Sequence, residues 1–278
     1  MEFALFGLHR GSSVDPDVLA RRARLAEDAG FEALWVGDHI ALPADAPDSA
    51  AQPRLEAVIA LTYLAALTER VRLGVGVIVL PQRQPVLLAK QLTSLDVLSG
   101  GRLTVGVGVG YVERELRALG ASLADRAART DEYLAAMRAL WDEPVPAFAG
   151  RFVSFSEVVQ RPLPAQRPHP PIMVGGHSPA AYRRAVTAGN GWYGWDLGVD
   201  ETAAALSALR ETAGRCERPT ELGELEITIT PPGTPDADTA RRYAEVGVHR
   251  LSVQPHTMDG DAIEELITTV GEKLIGRV

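Results

Sequence analysis

The stretch VRLGVGVIVLPQRQPVLLAKQLTSLDVLSGGRLTVGVGVGY, residues 71–111, contains the pattern that decides the fold. Its first part, Val71–Val79, is largely apolar and rich in Val and Ile, which is typical of a strand buried on both faces. Pro85 then begins a helix, and Ser99-Gly100-Gly101 ends it. Leu103–Val109 is a second buried strand, so the stretch predicts two parallel strands joined by a right-handed crossover. The crossover helix is predicted to bury one face, formed by Leu88, Leu92, Leu95 and Leu98.

Alternation of strand and helix continues on both sides of this stretch. Outside it, the pattern predicts a small hairpin around Gly150-Arg151-Phe152 and a helix after every strand. The predicted strands are Glu2–His9, Leu34–Val36, Val71–Val79, Leu103–Val109, Ile172–Val174, Gly191–Trp195, Leu225–Thr230 and His249–Gln254. Eight alternating pairs indicate one (β/α)8 barrel, with a single domain over residues 1–278.

Composition narrows the class of protein. The chain has 278 residues, 46% of them hydrophobic, and can therefore bury one large core. Its net charge of −8 argues against general binding to nucleic acid. The sequence has no apolar run long enough for a membrane span and no signal-peptide pattern at its N-terminus. Cys216 is the only cysteine, which excludes an internal disulfide and leads us to expect a cytoplasmic location.

Histidines cluster at the predicted carboxyl ends of the strands, where barrels of this kind place their active sites. His9 ends the first strand, Asp38-His39 end the second, His177 follows the fifth and His256 follows the eighth. A lone loop histidine is usually only solvated, but several on one rim favour a shared pocket that handles protons. A metal site built from three of these histidines stays an alternative, although Leu8-His9-Arg10 lacks the His-x-His pair expected there.

The alternating glycines Gly106, Gly108 and Gly110 allow two interpretations. They relieve crowding inside a barrel, or they bring bare backbone against a flat ligand or a phosphate. The dinucleotide-binding fingerprint is not met, because no third glycine falls at the required spacing before a helix. The glycine pattern alone does not choose between packing and binding.

A longer ordered motif within residues 80–110, LPxRxPxxLAKQLxxLDxLSGGRLxxGVGxG, resembles the signature of the bacterial luciferase-like monooxygenase superfamily. The resemblance continues through residues 25–40, 120–141, 161–176 and 188–195, and so covers nearly the whole chain. Within that superfamily the sequence is most similar to the branch that uses the deazaflavin coenzyme F420. The resemblance implies a (β/α)8 barrel that binds this cofactor and a small-molecule substrate.

The resemblance also assigns roles near the reactive ring. It implies that His39 is a proton donor or acceptor and that Asp38 orients it or lies behind it. It implies a non-proline cis peptide at Gly76–Val77, with Val77 supporting the ring. Tyr111 stands where the sugar-phosphate dehydrogenases of the family have an acidic glutamate, so we expect Tyr111 to pack over ring or substrate and glucose-6-phosphate to be a poor substrate.

For the phosphate tail, the resemblance implies contacts with two glycine-containing segments. One is Gly175-Gly176-His177, which precedes a helix start that favours an anion. The other lies at the end of the fourth strand and comprises Gly106, Val107 and Gly108. Arg183 and Arg184, one turn further on, are expected near the oligoglutamate part of the tail.

Three functions remain open from the sequence. The first is an F420-dependent oxidoreductase that transfers a hydride between the deazaflavin C5 and a small organic substrate. The second is a monooxygenase that uses reduced FMN and oxygen, and the third is a cofactor-binding protein without turnover. Members of the family are often homodimers, and an apolar helix such as Leu55–Thr68 is a candidate for the contact.

Overall fold

The computed structural model describes residues 1–46, 52–257 and 260–278. In these residues, parallel strands close into an eight-position barrel surrounded by helices, which confirms the predicted (β/α)8 fold. A separate antiparallel hairpin, β6 and β7, lies where it was predicted around Gly150. The strands are β1 Glu2–Phe6, β2 Ala33–Val36, β3 Arg72–Val75, β4 Ile78–Val79, β5 Leu103–Gly108, β6 Phe148–Ala149, β7 Ser154–Phe155, β8 Ile172–Gly175, β9 Gly191–Trp195, β10 Glu226–Thr230 and β11 Arg250–Val253.

The barrel closes between its first and last strands, where β1 pairs with β11 in register Leu5↔Val253. One barrel position departs from the prediction. The expected single strand Val71–Val79 is divided into β3 and β4, and both segments pair with β5. The division falls at Gly76–Val77, whose peptide bond is cis, as the family resemblance implied.

Helices surround the barrel at the predicted places, with bounds shifted by one or two residues for most of them. They are α1 Pro16–Asp28, α2 Ala57–Leu67, α3 Pro85–Leu98, α4 Glu113–Ala118, α5 Arg126–Asp142, α6 Pro179–Ala188, α7 Val199–Arg215, α8 Ala237–Val246 and α9 Ala262–Lys273. The short helix α4 was not predicted, because six residues are too few for an apolar period to be visible. Among the described helices, none has the length and apolar character needed to cross a bilayer.

Local sequence explains where the helices begin and end. The Asp15 carboxylate accepts hydrogen bonds from the amides of Asp17 and Val18, and so satisfies two donors at the start of α1. At the end of α3, Gly100 and Gly101 have φ of 68° and 83°, a backbone conformation that glycine adopts without strain.

The core has two layers. A large cluster fills the space between barrel and helices, and a smaller one inside the barrel comprises Ala4, Phe6, Ala33, Trp35, Met173 and Tyr193, with Val77 against it. Leu88, Leu92 and Leu95 of α3 are buried, but the prediction for Leu98 is wrong, since its side chain is 70% exposed. Ten residues after Leu88 the helix has rotated this position by roughly 80° out of the buried face.

Candidate functional site

The predicted site residues meet at one end of the barrel because all barrel strands run in the same direction. Gly37, Asp38 and His39 follow β2, Gly76–Val77 lies between β3 and β4, Tyr111 follows β5, and Gly176-His177 follow β8. This carboxyl-terminal rim is the expected location for an active site in the fold. The floor below it is aromatic, with the Trp35 and Tyr193 ring centroids 5.1 Å apart.

His39 is the rim histidine with an acidic partner. Its side chain is 27% exposed, and its Nδ1 lies 2.9 Å from Oε2 of Glu115 on α4. The Tyr111 ring approaches the imidazole edge-on, with 6.0 Å between ring centroids, and is itself 77% exposed. Tyr111 therefore stands beside His39 at the open side of the rim.

Glu115 was missed by the sequence analysis. Its side chain is only 1% exposed, and its Oε1 accepts hydrogen bonds from the amides of Ile40 and Ala41 at 2.6 and 2.9 Å. Burial acts to raise the pKa of Glu115, but the hydrogen bonds from His39 and from these two amides outweigh burial and lower the pKa. Glu115 is therefore an ionised, buried carboxylate against His39. The available sequence signal was the pair of acidic residues Glu113 and Glu115, a few residues after the fourth barrel strand, β5.

Asp38 does not orient His39, so that part of the prediction is corrected. Its carboxylate accepts the Val79 amide hydrogen at 2.9 Å and forms an ion pair with Arg83. Arg83 also binds Glu56, with 2.6 Å between Nη1 and Oε1. Asp38 is buried behind the rim, where it ties the end of β2 to β4, which agrees with the other role considered for it.

The glycines of β5 and β8 make room for the Val77 side chain. A Cβ at Gly108 would lie 2.5 Å from Cγ2 of Val77, and one at Gly175 would lie 2.8 Å from Cγ1. A Cβ at Gly106 would lie only 1.9 Å from the Val75 carbonyl oxygen. These neighbours are protein atoms, so the packing interpretation of the glycines is the one that the structure supports.

The residues at the end of β5 that were expected to contact the cofactor tail lie within this packing. Gly106, Val107 and Gly108 are all buried. The Val107 side chain belongs to the core between barrel and helices, and the two glycines lie beneath Val77. Val77 is half-buried, and it covers these residues at the mouth of the barrel.

Gly176 and His177 form an exposed turn that leads into α6. Gly176 has φ of 114°, and the Ser178 hydroxyl caps the helix by accepting the Ala181 amide hydrogen at 3.2 Å. His177 Nε2 accepts the Trp195 amide hydrogen at 3.1 Å, and burial lowers the pKa of His177. The imidazole is therefore neutral. Pro179 has no amide hydrogen and the Ala181 amide is capped, so the Ala180 amide is the N–H of the first helical turn that an anion could bind.

The two arginines of α6 differ in exposure. Arg184 is buried, and its Nε lies 2.6 Å from Oδ1 of Asp131, so this arginine joins α6 to α5 and cannot reach a cofactor tail. Arg183 is exposed and lies 3.6 Å from the same carboxylate. Only Arg183 stays a candidate for the expected tail contact.

The other rim histidines do not form a proton-handling pocket with His39. His9 is buried, and its Nε2 accepts the Gly37 amide hydrogen at 3.2 Å. Burial, with nearby Arg10 and Arg54, lowers the pKa of His9 to about 3, so its ring is neutral. His256 is exposed elsewhere on the rim. Within residues 1–46, 52–257 and 260–278, no three His, Cys, Asp or Glu side chains are arranged to hold a metal ion.

A cavity of about 560 Å³ opens on the rim beside Trp195. It lies at the carboxyl ends of β9, β10 and β11, and its lining includes Trp195, Thr234, Gln254 and His256. Trp195 packs edge-on against Phe6, with 5.0 Å between ring centroids. The size suits a small organic molecule, and the lining offers hydrogen-bonding groups around one aromatic ring.

Comparison with known proteins agrees with this geometry. The model of the luciferase-like monooxygenase family matches residues 1–268. An uncharacterised protein of Mycobacterium tuberculosis is 33% identical over 244 residues, which are 82% of this chain and 84% of that protein. The FMNH2-dependent dimethylsulfone monooxygenase of Pseudomonas putida is 32% identical over 211 residues, 72% of this chain and 56% of that enzyme.

The fold is shared with enzymes that use the deazaflavin. The structure of an F420-dependent secondary alcohol dehydrogenase, in complex with an F420–acetone adduct, superimposes with a TM-score of 0.80. The superposition covers 99% of this chain and 98% of that one at 17% sequence identity. Identity at this level supports the common fold and carries no conclusion about the cofactor.

Proposed function

The chain belongs to the luciferase-like monooxygenase family of oxidoreductases, and we propose that it is an F420-dependent oxidoreductase. In this proposal it transfers a hydride between the deazaflavin C5 and a small organic substrate. The observation that carries the proposal is His39, which is held by the buried Glu115 carboxylate on the same rim as Gly76–Val77. A site of this kind handles one proton and needs no nucleophile.

The rim has features that fit the two ends of such a cofactor. Gly76 and Val77 stand at the barrel mouth above Trp35 and Tyr193 and would support a flat ring. The exposed turn Gly176-His177 at the start of α6 would hold the phosphate, because helix amides and the helix dipole favour an anion. When bound there, the deazaflavin supplies a hydride acceptor or donor at C5.

The protein's own part in the reaction is to position the substrate and to move a proton. His39 is half-exposed at the rim and can exchange a proton with a substrate oxygen. Tyr111 stands edge-on to His39 and would limit how a substrate approaches. The rim cavity beside Trp195 offers a place for the rest of the substrate.

A monooxygenase that uses reduced FMN and oxygen is the second candidate. The observation that favours it is the 32% identity over 211 residues to the FMNH2-dependent dimethylsulfone monooxygenase. The same rim would serve either cofactor, since both present a flat ring and a phosphate-bearing tail.

Turnover assays separate the candidate functions. We expect purified protein to change the redox state of F420 anaerobically with at least one alcohol, aldehyde or ketone in a broad panel. His39→Ala is expected to lower that rate by about 10²–10⁴-fold, the usual contribution of a general acid–base group. Oxygen uptake with FMNH2, without F420 turnover, would establish the monooxygenase instead. Absence of both activities would indicate a protein that only binds its cofactor.

We also propose that the chain forms a homodimer through the outer faces of α2 and α3. Large apolar side chains are exposed there: Ile59, Tyr63, Leu87, Val97 and Leu98. An exposed apolar face of this kind is typical of a protein–protein contact. Light scattering should give twice the chain mass, and Ile59→Glu should give the monomer. A monomeric wild-type protein would overturn this proposal.

We also propose that the protein is located in the cytoplasm, and its single cysteine supports this location. Cys216 is a free thiol in a half-buried position, and free thiols persist in reducing compartments.

A further inference from the structure

The contact between His39 and Glu115 determines which imidazole nitrogen faces a substrate. An ionised carboxylate has only acceptor atoms, so the hydrogen in the 2.9 Å contact must be on Nδ1 of His39. The neutral ring then has its lone pair on Nε2. Nε2 is therefore the atom that can accept a proton from outside the protein.

We propose that Glu115 is a positioning residue, which keeps His39 in the Nδ1–H form so that Nε2 exchanges a proton with a substrate oxygen. The proposal rests on the hydride-transfer function described above, and it narrows the substrate class to an alcohol and its carbonyl product. The hydroxyl proton of the alcohol goes to Nε2, and the hydrogen on the same carbon leaves with its electron pair for the cofactor. Both transfers reverse when a carbonyl compound is reduced.

The position of Glu115 makes it specific for this task. Its Oε1 is occupied by the amides of Ile40 and Ala41, the two residues that follow His39, so Oε2 is left for the imidazole. One carboxylate therefore sets both the backbone path after His39 and the tautomer of its ring. Asp38 cannot substitute, because its oxygens bind Val79 and Arg83.

An isosteric variant can reverse the tautomer without removing the side chain. In Glu115→Gln, the amide oxygen is expected to stay with the two backbone N–H donors, which cannot bind an NH2 group. The NH2 group then points at His39 and donates to Nδ1. The ring hydrogen must move to Nε2, which can no longer accept a proton.

Tautomers of histidine are visible by NMR, since protonated and unprotonated ring nitrogens differ strongly in 15N shift. The measurement uses protein with 15N-labelled histidine and no cofactor, at alkaline pH, where ordinary imidazole with a pKa of about 6.5 is neutral. The chain has six histidines, and the signals lost in His39→Ala identify those of His39. Glu113→Gln is the matched control, because Glu113 is on the same helix, exposed, and paired with Arg117.

We expect the Nδ1–H form of His39 in the wild-type protein and in Glu113→Gln, and the Nε2–H form in Glu115→Gln. The Nε2–H form in the wild-type protein would overturn the proposal, and this result needs only His39→Ala, the variant that assigns the signals, to fold. An unchanged tautomer in folded Glu115→Gln would overturn it as well.

Kinetics provide a second readout that a purely structural role would not produce. In the alcohol-oxidising direction, Glu115→Gln should lower kcat by about a hundredfold or more with little change in KM, because a base is lost and not a binding contact. Equal kcat in folded Glu115→Gln and wild type would contradict the proposal. The tautomer is measured without cofactor, so its result stands even if the protein does not use F420. Conversely, an unexpected tautomer would not contradict the use of F420.

Discussion

Two sides of the barrel mouth hold the candidate site by different means. On the side of β2, charged groups fix the rim: Asp38 binds Arg83, and Glu115 binds His39. On the side of β5 and β8, three glycines enclose the Val77 side chain and no charge is involved. We call these the polar side and the glycine side. Isosteric changes on the polar side should alter function while the protein still folds. Addition of a single methyl group to a glycine on the glycine side should instead destabilise the fold.

Gly106→Ala should have the largest effect. The added Cβ would lie 1.9 Å from the Val75 carbonyl oxygen, which belongs to backbone and cannot turn away as a side chain could. We expect loss of about 3 kcal/mol or more of folding free energy, or no folded protein. Chemical denaturation measures this loss of folding free energy.

Gly214→Ala is the control for that variant, since a Cβ at Gly214 in helix α7 would have no neighbour within 4 Å. It should stabilise the protein by up to about 1 kcal/mol, the usual difference between the two residues in a helix. Equal stabilities for the two variants would show that the β5 glycines are not needed for packing.

The pH dependence of stability tests the polar side. His9 titrates near 6.5 when unfolded, whereas burial lowers its pKa in the folded protein to about 3. The unfolded chain therefore binds a proton that the folded chain rejects, and stability contributed by His9 is present above pH 6.5 and is lost as the pH falls toward about 3.

Between pH 6.5 and about 3, unfolding of the wild-type protein should take up about one proton more than unfolding of His9→Gln. Urea denaturation at a series of pH values measures this uptake as the slope of stability against pH. The same slope in wild type and variant would show that His9 is accessible to protons in the folded state.

Asp38→Asn should have an intermediate effect. The amide oxygen can still accept the Val79 amide hydrogen, but the charge that balances Arg83 is lost. We expect a loss of about 2 kcal/mol, as for a hydrogen bond to a charged group, with the protein still folded. Asp238→Asn, in an exposed pair with Arg241, should change stability little and serves as the control. Equal losses in both variants would refute a special role for the buried pair.

Val77→Ala should have the smallest effect on stability and a clear effect on the cofactor. Val77 is half-buried, so removing two methyl groups should cost about 1 kcal/mol of folding free energy. If Val77 supports the ring, cofactor affinity should fall by about tenfold, equivalent to 1.4 kcal/mol. Val145→Ala, at an exposed position, is the control for both measurements. Unchanged affinity in Val77→Ala would place the ring elsewhere.

The sequence was informative where structure follows from local pattern. The helix start at Pro85 and the glycine end of α3 are both as predicted. The ordered motif in residues 80–110 also led to the family and to the cis bond at Gly76–Val77. In these cases the determining residues are neighbours in the chain.

Sequence reasoning failed where partners come from distant parts of the chain. Asp38 and His39 are adjacent, but alternation along the chain sends their side chains to different partners, Arg83 and Glu115. The β5 glycines are explained by Val75 and Val77, which lie about thirty residues earlier, at the end of β3 and between β3 and β4. Neither pairing has a local signature, so only the folded barrel reveals it.

The central claim, that the rim binds a deazaflavin, is tested most directly by titrating purified protein with coenzyme F420 and, in parallel, with FMN, followed by fluorescence. The account predicts tight binding of F420 and weak binding of FMN. It also predicts that Val77→Ala weakens the tighter of the two interactions and that Val145→Ala does not. Tight FMN binding with weak F420 binding, or binding of neither, would contradict the account.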